Sequence, residues 1–425
     1  MSPMTMKASA PAWAGDGVAS NTHFHERPYA TRFQTAIADA ASCEVAAPGR
    51  ASAGPCSLRV LLLDEGWAQT IDLAVGLANA GHRVTVLTAN GGTARHQYRT
   101  TQWLSGPALE SPALLRYLDQ LMIETPFDRV LPLTEAGMLR LWDANPAWAD
   151  RISPSAAGWQ RRLLRDKYAL SEHLAAFGVD VPRHQRLAPG ANPEVLAREL
   201  GLPLVLKGAT GAGGTRVAIV ETVAELARAI QRARSMGGAW GVQELVDGPT
   251  VLFGGVFHDG RALRIFAGEK LEQHPRRTGP AIRMRSLADP ALLELGMRIL
   301  GALRWTGFAS ADLIRRGDGR YIFLEVNPRL WGSAAAARSA GVDLFTPFAA
   351  MLAGEPPAPD LAFATDQDVR IFPRYLLSPA YWRPSGVLRA VRDLLDAERQ
   401  PWRQLGFVRH LAARMLRMHS RRNAL

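Results

Sequence analysis

Lysine is nearly missing from this chain. Of the 50 cationic side chains among 425 residues, four are Lys (Lys7, Lys167, Lys207 and Lys270) and the rest are Arg. Arginine is planar and permanently charged, whereas lysine is a compact charge on a flexible stem. Three lysines beyond the N-terminal segment therefore call for a reason. Cysteine is scarcer still, with only Cys43 and Cys56, which excludes a disulfide framework and a Cys-based zinc site and fits a cytoplasmic protein. No apolar run approaches about eighteen residues, so no membrane-spanning helix is expected. A basic start followed by an apolar stretch is lacking too, so no secretory signal is expected. HExxH, paired CxxC and GxSxG do not occur, which argues against zinc proteases and α/β-hydrolases.

What is present is unevenly placed. The net charge is +11, and residues 383–425 hold +7 of it, with ten Arg against Asp393, Asp396 and Glu398. The basic character is thus mostly a C-terminal property and says little about partners of the main body. No basic patch with interleaved aromatics suggests nucleic acid. Residues 1–56 are Ala-rich without a period and read as a disordered leader. Order is expected from Leu58, where Arg59–Asp64 fits a buried strand, Ala68–Ala80 a helix ended by Gly81, and Arg83–Thr88 a second strand. A helix near Pro112–Glu124, a strand Arg129–Thr134 and a helix from Glu135 continue the alternation. That alternation predicts a parallel α/β sheet over 57–155. Helices are expected across 159–177 and 192–200. Strands follow at Pro203–Lys207 and Arg216–Val220, then a helix Val223–Met236 and a strand Trp240–Val246. Two hairpins, Val251–Phe257 with Arg261–Ala267 and Phe308–Arg315 with Tyr321–Val326, flank a helix Ala291–Leu303. Residues 355–359 look like a linker. Beyond it, Pro384–Arg399 and Pro401–His419 have helical apolar spacing with flanking Arg, suited to packing on their own domain or to contact with an anionic membrane.

Three segments carry chemistry. Gly208-Ala-Thr-Gly-Ala-Gly-Gly214-Thr215 sits between two strands, and such a loop lets backbone N–H groups approach phosphate oxygens. It is not a Walker A loop, because the lysine precedes it at Lys207 and a strand follows. Read alone, it fits a lid over phosphates or a ligand-free hairpin. Glu325-Val-Asn327-Pro-Arg329 ends a strand, so Glu325 and Asn327 share a face, with Arg329 beyond them. Asp312 is expected opposite Glu325 across the hairpin. Paired carboxylates need a cation between them, and oxygen ligands suit Mg2+. Gln243-Glu244-Leu245-Val246 ends another strand and could form a hinge for a purine, with a carboxylate for a ribose hydroxyl. Glu272, His274, Arg276 and Arg277 form a loop that could face an acceptor, while His184 and His96 are expected at the surface.

The order Asp166-Lys167, Lys207 with its Gly-rich loop, Gln243-Glu244-Leu245-Val246, Asp312 and Glu325-Val-Asn-Pro-Arg329 resembles the ATP-grasp superfamily. The tail Arg329-Leu-Trp-Gly332-Ser333 looks most like the branch related to carbamoyl-phosphate synthase and carboxylate–amine ligases. The likeness covers about 160–352 closely and 58–150 more loosely. It implies a Rossmann-like N-terminal domain (57–155), an ATP-grasp module (156–355) with a lid lobe near 203–246, and a linker and basic tail (356–425). It also implies roles: Lys167, Lys207, Gly211, Gly213, Gly214, Thr215, Glu244 and Val246 for ATP; Asp312, Glu325 and Asn327 for Mg2+ or Mn2+; Arg329 and Lys270 for the transferred phosphate or substrate. Asp312 stands where the family more often has Glu. The implied activity joins a carboxylate to an amine through an acyl phosphate, by a cytoplasmic enzyme acting on small molecules and able to form a homodimer. Two other readings compete. Leu77–Thr88 resembles part of a two-domain glycosyltransferase, and an idle ATP-binding scaffold would carry the same motifs.

Overall fold

A computed structural model describes residues 57–64, 68–89, 101–211, 216–371, 374–378 and a few positions up to 388. The Ala-rich leader lies outside the described residues, as do most of the predicted C-terminal helices and Ala212–Thr215 of the Gly-rich loop. The chain opens with β1 (Arg59–Asp64), α1 (Ala68–Asn79), β2 (Arg83–Thr88), β3 (Thr101–Ser105), α2 (Leu114–Glu124), β4 (Arg129–Pro132) and α3 (Glu135–Ala144). The strands form an all-parallel sheet in the order β3-β2-β1-β4. Their apolar runs are continuous because both faces are covered: Leu61 and Leu63 pack into one core, Val60 and Leu62 into another.

Two helices, α4 (Gly158–Leu164) and α5 (Lys167–Ala176), lead into a smaller lobe. It comprises β5 (His184–Arg186), α6 (Pro193–Leu200), β6 (Leu204–Gly208), β7 (Val217–Val220), α7 (Val223–Met236) and β8 (Trp240–Glu244), with the antiparallel order β5-β8-β6-β7. This lobe has its own core, in which Leu204, Leu206 and Val242 meet Leu226 and Ile230 of α7. Helix α7 begins where Thr222 accepts from the Glu225 amide at 3.2 Å, an N-cap of the ordinary kind.

The central sheet is antiparallel and six-stranded. It is built from β9 (Thr250–His258), β10 (Arg261–Gln273), β11 (Ala281–Ser286), β12 (Gly307–Arg315), β13 (Tyr321–Asn327) and β14 (Asp368–Arg370), in the order β13-β12-β9-β10-β11-β14. One face, with Phe253, Ala309, Ala311 and Leu313, packs under α8 (Pro290–Ala302). Gly296 of α8 lies so close to the Phe253 ring that a Cβ there would collide with it. The other face carries Leu252, Val256 and Phe308 and is covered by α9 (Ala335–Ser339) and α10 (Phe345–Leu352).

The structure corrects the sequence reading in places. The strand expected over Trp240–Val246 stops at Glu244. Strands β3, β5, β11 and β14 were not expected. The stretch read as linker and tail in fact adds β14 to the central sheet, paired with β11 through Met284 and Val369. Three residues are too short for strand periodicity to show; pairing with a sheet edge is what extends them. His184 is not a free surface residue, because its ring packs on Tyr168 at 5.3 Å.

Candidate active site

The three lysines beyond the N-terminal segment converge. Each arrives from a different element, and local structure explains each placement. Asp166 caps α5 by accepting from the Tyr168 and Ala169 amides at 2.9 and 3.1 Å, which sets Lys167 on the first turn. The Lys167 amide donates to the Ala209 carbonyl at 3.0 Å, and the Tyr168 hydroxyl donates to the Lys207 carbonyl at 3.0 Å. These bonds tie α5 to the end of β6, so Lys167 and Lys207 lie side by side. Lys270 stands at a register shift between β10 and β11, a place where a bulge re-aims side chains.

Their partners are the carboxylates singled out in the sequence. Asp312 and Glu325 are direct cross-strand partners on β12 and β13. Lys167 Nζ lies 2.9 Å and Lys207 Nζ 3.5 Å from Glu325 Oε2, while Lys270 Nζ lies 2.7 Å from Asp312 Oδ2. A bulge follows Asp312, where Leu324 is the extra residue, and its carbonyl accepts from Lys207 Nζ at 3.2 Å. Burial alone would push the Glu325 carboxyl up, but Lys167 and Lys207, helped by Lys270, outweigh it and hold the group well below the usual carboxylate range. Burial pushes the Lys207 ammonium down. Glu325 works against that shift, and the like charge of Lys167 adds to it. Three cations thus share two carboxylates, leaving positive charge over.

All five groups line one cavity of about 650 Å3, a size suited to a nucleotide-like ligand. Its walls include Val205, Ile219, Leu245, Val246, Ile314 and Leu324. Gly211 lines it with φ +112°, a conformation that favours glycine; Gly213, Gly214 and Thr215 lie outside the described residues. Arg276 and Arg277 also line the cavity. Glu244 does not join them. Alternation along β8 sends Gln243 to the cavity and Glu244 away, where it binds Arg183 Nε at 2.8 Å and the Arg183 amide at 3.0 Å.

Divalent metal fits this donor set. Asp312 Oδ1 is buried and has no hydrogen-bond partner, and Glu325 and Asn327 follow on the neighbouring strand. Among the described residues no cluster of three or more His, Cys, Asp or Glu could hold an ion unaided. Magnesium bound by one or two carboxylates usually completes its shell with water and substrate phosphates.

Arg329 sits apart from the lysines. It donates to Asn327 Oδ1 at 3.1 Å and to Glu135 Oε1 of α3 at 3.2 Å. A second arginine was not anticipated. Arg374, on a short 3-10 turn over 374–377, is pushed down to about 10 by burial and then by the like charge of Arg329. It has room because position 332 is glycine: a Cβ there would collide with the Arg374 guanidinium. Nearby, Ser310 Oγ and Trp331 Nε1 are buried without hydrogen-bond partners, and Ser310 faces Asn327 across the strands. No sequence motif announces Arg374, which lies in the stretch read as tail.

Comparison with known proteins agrees with this geometry. Residues 166–356 match the family model of the carbamoyl-phosphate synthase L chain, ATP binding domain. The chain is 29% identical over 201 residues to a D-alanine–D-alanine ligase of Ectopseudomonas mendocina, covering 43% of this chain and 62% of that protein. It is 25% identical over 306 residues to the carbamoyl phosphate synthase large chain of Thermus thermophilus, covering 65% of this chain and 28% of the other. In fold it resembles biotin carboxylase from Campylobacter jejuni, with TM-score 0.60, 17% identity and coverage of 73% and 74%. It also resembles L-amino acid ligase from Bacillus licheniformis, with TM-score 0.55, 18% identity and coverage of 71% and 75%. The mixed α/β body has an ATP-grasp fold, and residues 166–356 resemble the ATP-binding domain of the carbamoyl-phosphate synthase L chain. No helix among the described residues is long and apolar enough to cross a membrane.

Proposed function

We propose that this protein is an ATP- and Mg2+-dependent ligase that activates a carboxylate as an acyl phosphate and passes it to an amine. The observation that carries this reading is the convergence of Lys167, Lys207 and Lys270 on Asp312 and Glu325 in one cavity. A triphosphate entering there meets three flexible cations, which exchange carboxylate partners for phosphate oxygens. Val205, Ile219, Leu245 and Val246 offer an apolar slot for the base. Asp312, Glu325 and Asn327 would hold the metal, whose role when bound is to neutralise charge on the phosphates.

A carboxylate oxygen then attacks the γ-phosphorus, the bond to the ADP oxygen breaks, and an acyl phosphate forms. The amine attacks its carbonyl carbon, phosphate leaves, and the amine gives up a proton. In this scheme the protein's part is positioning and charge neutralisation. Arg329 and Arg374, close together and of one sign, fit an anionic group of the acceptor. The Gly-rich turn after Lys207, closing over the phosphates, would exclude water.

The test is ADP release from Mg-ATP across a panel of amino acids and amines. Wild type is expected to turn over with some acid–amine pair, and Lys207→Ala to lose about 10^2–10^3-fold. Nucleotide diphosphate released only from sugar nucleotides would instead identify a glycosyltransferase. ATP binding without turnover would identify an idle scaffold.

A further inference from the structure

Several buried polar side chains outside the large cavity have no hydrogen-bond partner, and one of them, Gln69, borders a cavity of its own. Gln69, on the first turn of α1, is 8% exposed, and neither Nε2 nor Oε1 has a hydrogen-bond partner. An amide buried without partners costs on the order of 1–3 kcal/mol, so a chain that keeps one there gains by filling it with something else.

Gln69 borders a second, smaller cavity of about 30 Å3, whose other polar walls are Arg329 and Ser153. The rest is apolar, with Leu73, Met138, Phe308 and Phe348 among its walls. Its place in the fold is informative. In the order β3-β2-β1-β4 the chain runs outward from β1 to β3 and then returns to β1's other side. The crevice beyond the C-terminal ends of β1 and β4 is therefore the topological switch point, where open parallel sheets bind ligands. Gln69 follows β1, and Leu131, Pro132 and Leu133 at the end of β4 line the same cavity. Arg329 closes it from the ATP-grasp domain. The stretch from Glu325 in the large cavity to Arg329 in the small one is four residue steps and spans at most about 14 Å, so the two cavities are neighbours along the chain.

We propose that Gln69 is a specificity-determining residue for the carboxylate substrate. The parallel domain thereby supplies one wall of the acceptor site. This rests on the ligase reading above and narrows its substrate class. The substrate is a small carboxylic acid with its carboxylate toward Arg329. A hydrogen-bonding substituent next to that carboxylate, an amine or a hydroxyl, meets the Gln69 amide. Its side chain is apolar and short, because about 30 Å3 holds only about two water-sized groups. An amide both donates and accepts, so it can serve an ammonium through Oε1 or a hydroxyl through either atom.

Calorimetry on the full chain tests this, using protein saturated with a non-hydrolysable ATP analogue and Mg2+. Titrants are the 2-amino, 2-hydroxy and unsubstituted acids, each with methyl, isopropyl and benzyl side chains. Wild type is expected to bind a 2-substituted acid with a small side chain at least about tenfold more tightly than its unsubstituted counterpart. Gln69→Leu should abolish that preference while leaving analogue affinity within error and the melting temperature no lower than that of wild type. Gln69→Glu should favour the 2-amino acid over the 2-hydroxy acid, a switch that general loosening of the fold would not produce. Equal affinities in wild type and Gln69→Leu overturn the proposal, as does analogue binding with no affinity for any acid. Failure to bind the analogue overturns the ligase reading itself, and this inference with it.

Discussion

The two ends of the stretch Glu325–Arg329 solve the problem of buried charge differently. At the Glu325 end every charge has an opposite within 2.7 to 3.5 Å, and the cations are lysines. At the Arg329 end two arginines lie close enough to repel, and one of them, Arg374, is held down to about 10 by burial and by its neighbour. In the first arrangement each lysine already has a carboxylate, and these pairs must rearrange to bind a phosphate. In the second, Arg329 is matched by Glu135 at 3.2 Å, while Arg374 feels burial and a like charge, so an anion has a favourable place to bind. Lysine suits the first task, since its ammonium can swing between partners; arginine suits the second, since its fork holds one geometry.

The largest expected effect breaks the lysine end. Glu325→Gln leaves Lys167 and Lys207 adjacent without their carboxylate. Removing one partner of a buried pair costs about 3–5 kcal/mol, and ADP release should fall by about 10^2–10^3-fold. Urea unfolding and steady-state turnover measure the two losses, and a normal unfolding midpoint would contradict the pairing. The same pairing predicts acid sensitivity. Because the native carboxyl lies below its ordinary value of 4.5, its stabilisation is present above about that pH and is lost as pH falls toward the native value.

Breaking the arginine end should look different. Arg374→Met is expected to raise KM for the carboxylate by about ten- to a hundredfold, the worth of a charge-assisted hydrogen bond, with KM for ATP unchanged. Stability should not fall, since an uncompensated buried cation has been removed. Loss of stability with unchanged carboxylate KM would make Arg374 a structural residue.

The smallest effect supplies a contrast from a third charge pair. Asp72 on α1 is buried beside Arg338 at 3.5 Å, and burial pushes its carboxyl up from 3.8 to about 6 despite that arginine. The native state thus binds this proton more tightly than the unfolded chain. Its contribution is fully present below about pH 3.8 and is lost as pH rises through about 6. Asp72→Asn should therefore raise stability at pH 8, by on the order of 1–3 kcal/mol, and the gain should vanish near pH 4. Parallel stability–pH curves for the two proteins would count against it.

Much of the lysine end was legible in the sequence. The scarcity of lysine, the strand before the Gly-rich turn and the hairpin pairing of Asp312 with Glu325 all follow from local pattern. Glu244 shows where reading by motif went astray: period-two alternation places Gln243, not Glu244, on the cavity face. The arginine end was hardly legible. Gln69 and Arg374 belong to no motif, and what makes them notable, an amide buried without partners and a guanidinium desolvated beside a like charge, is a property of packing. Gly332 was visible within Arg329-Leu-Trp-Gly332-Ser333, but that it makes room for a guanidinium from 42 residues further on is a tertiary fact. Strand β14 escaped for the same reason, since an edge strand of three residues takes its conformation from β11.

That edge strand has a bearing on biosynthesis. Chains emerge from the ribosome N-terminus first, so every lysine and carboxylate of the nucleotide cavity precedes β14 and Arg374. An interrupted chain ending near residue 356 would carry the phosphate-facing groups without the second arginine and with the β11 edge bare. Such a fragment would be equipped to hold nucleotide yet poorly equipped to choose an acceptor, and its open edge would invite pairing with other chains. Residues 368–370 and Arg374 thus act as a late clasp, completing the sheet and, on the proposed function, the acceptor end.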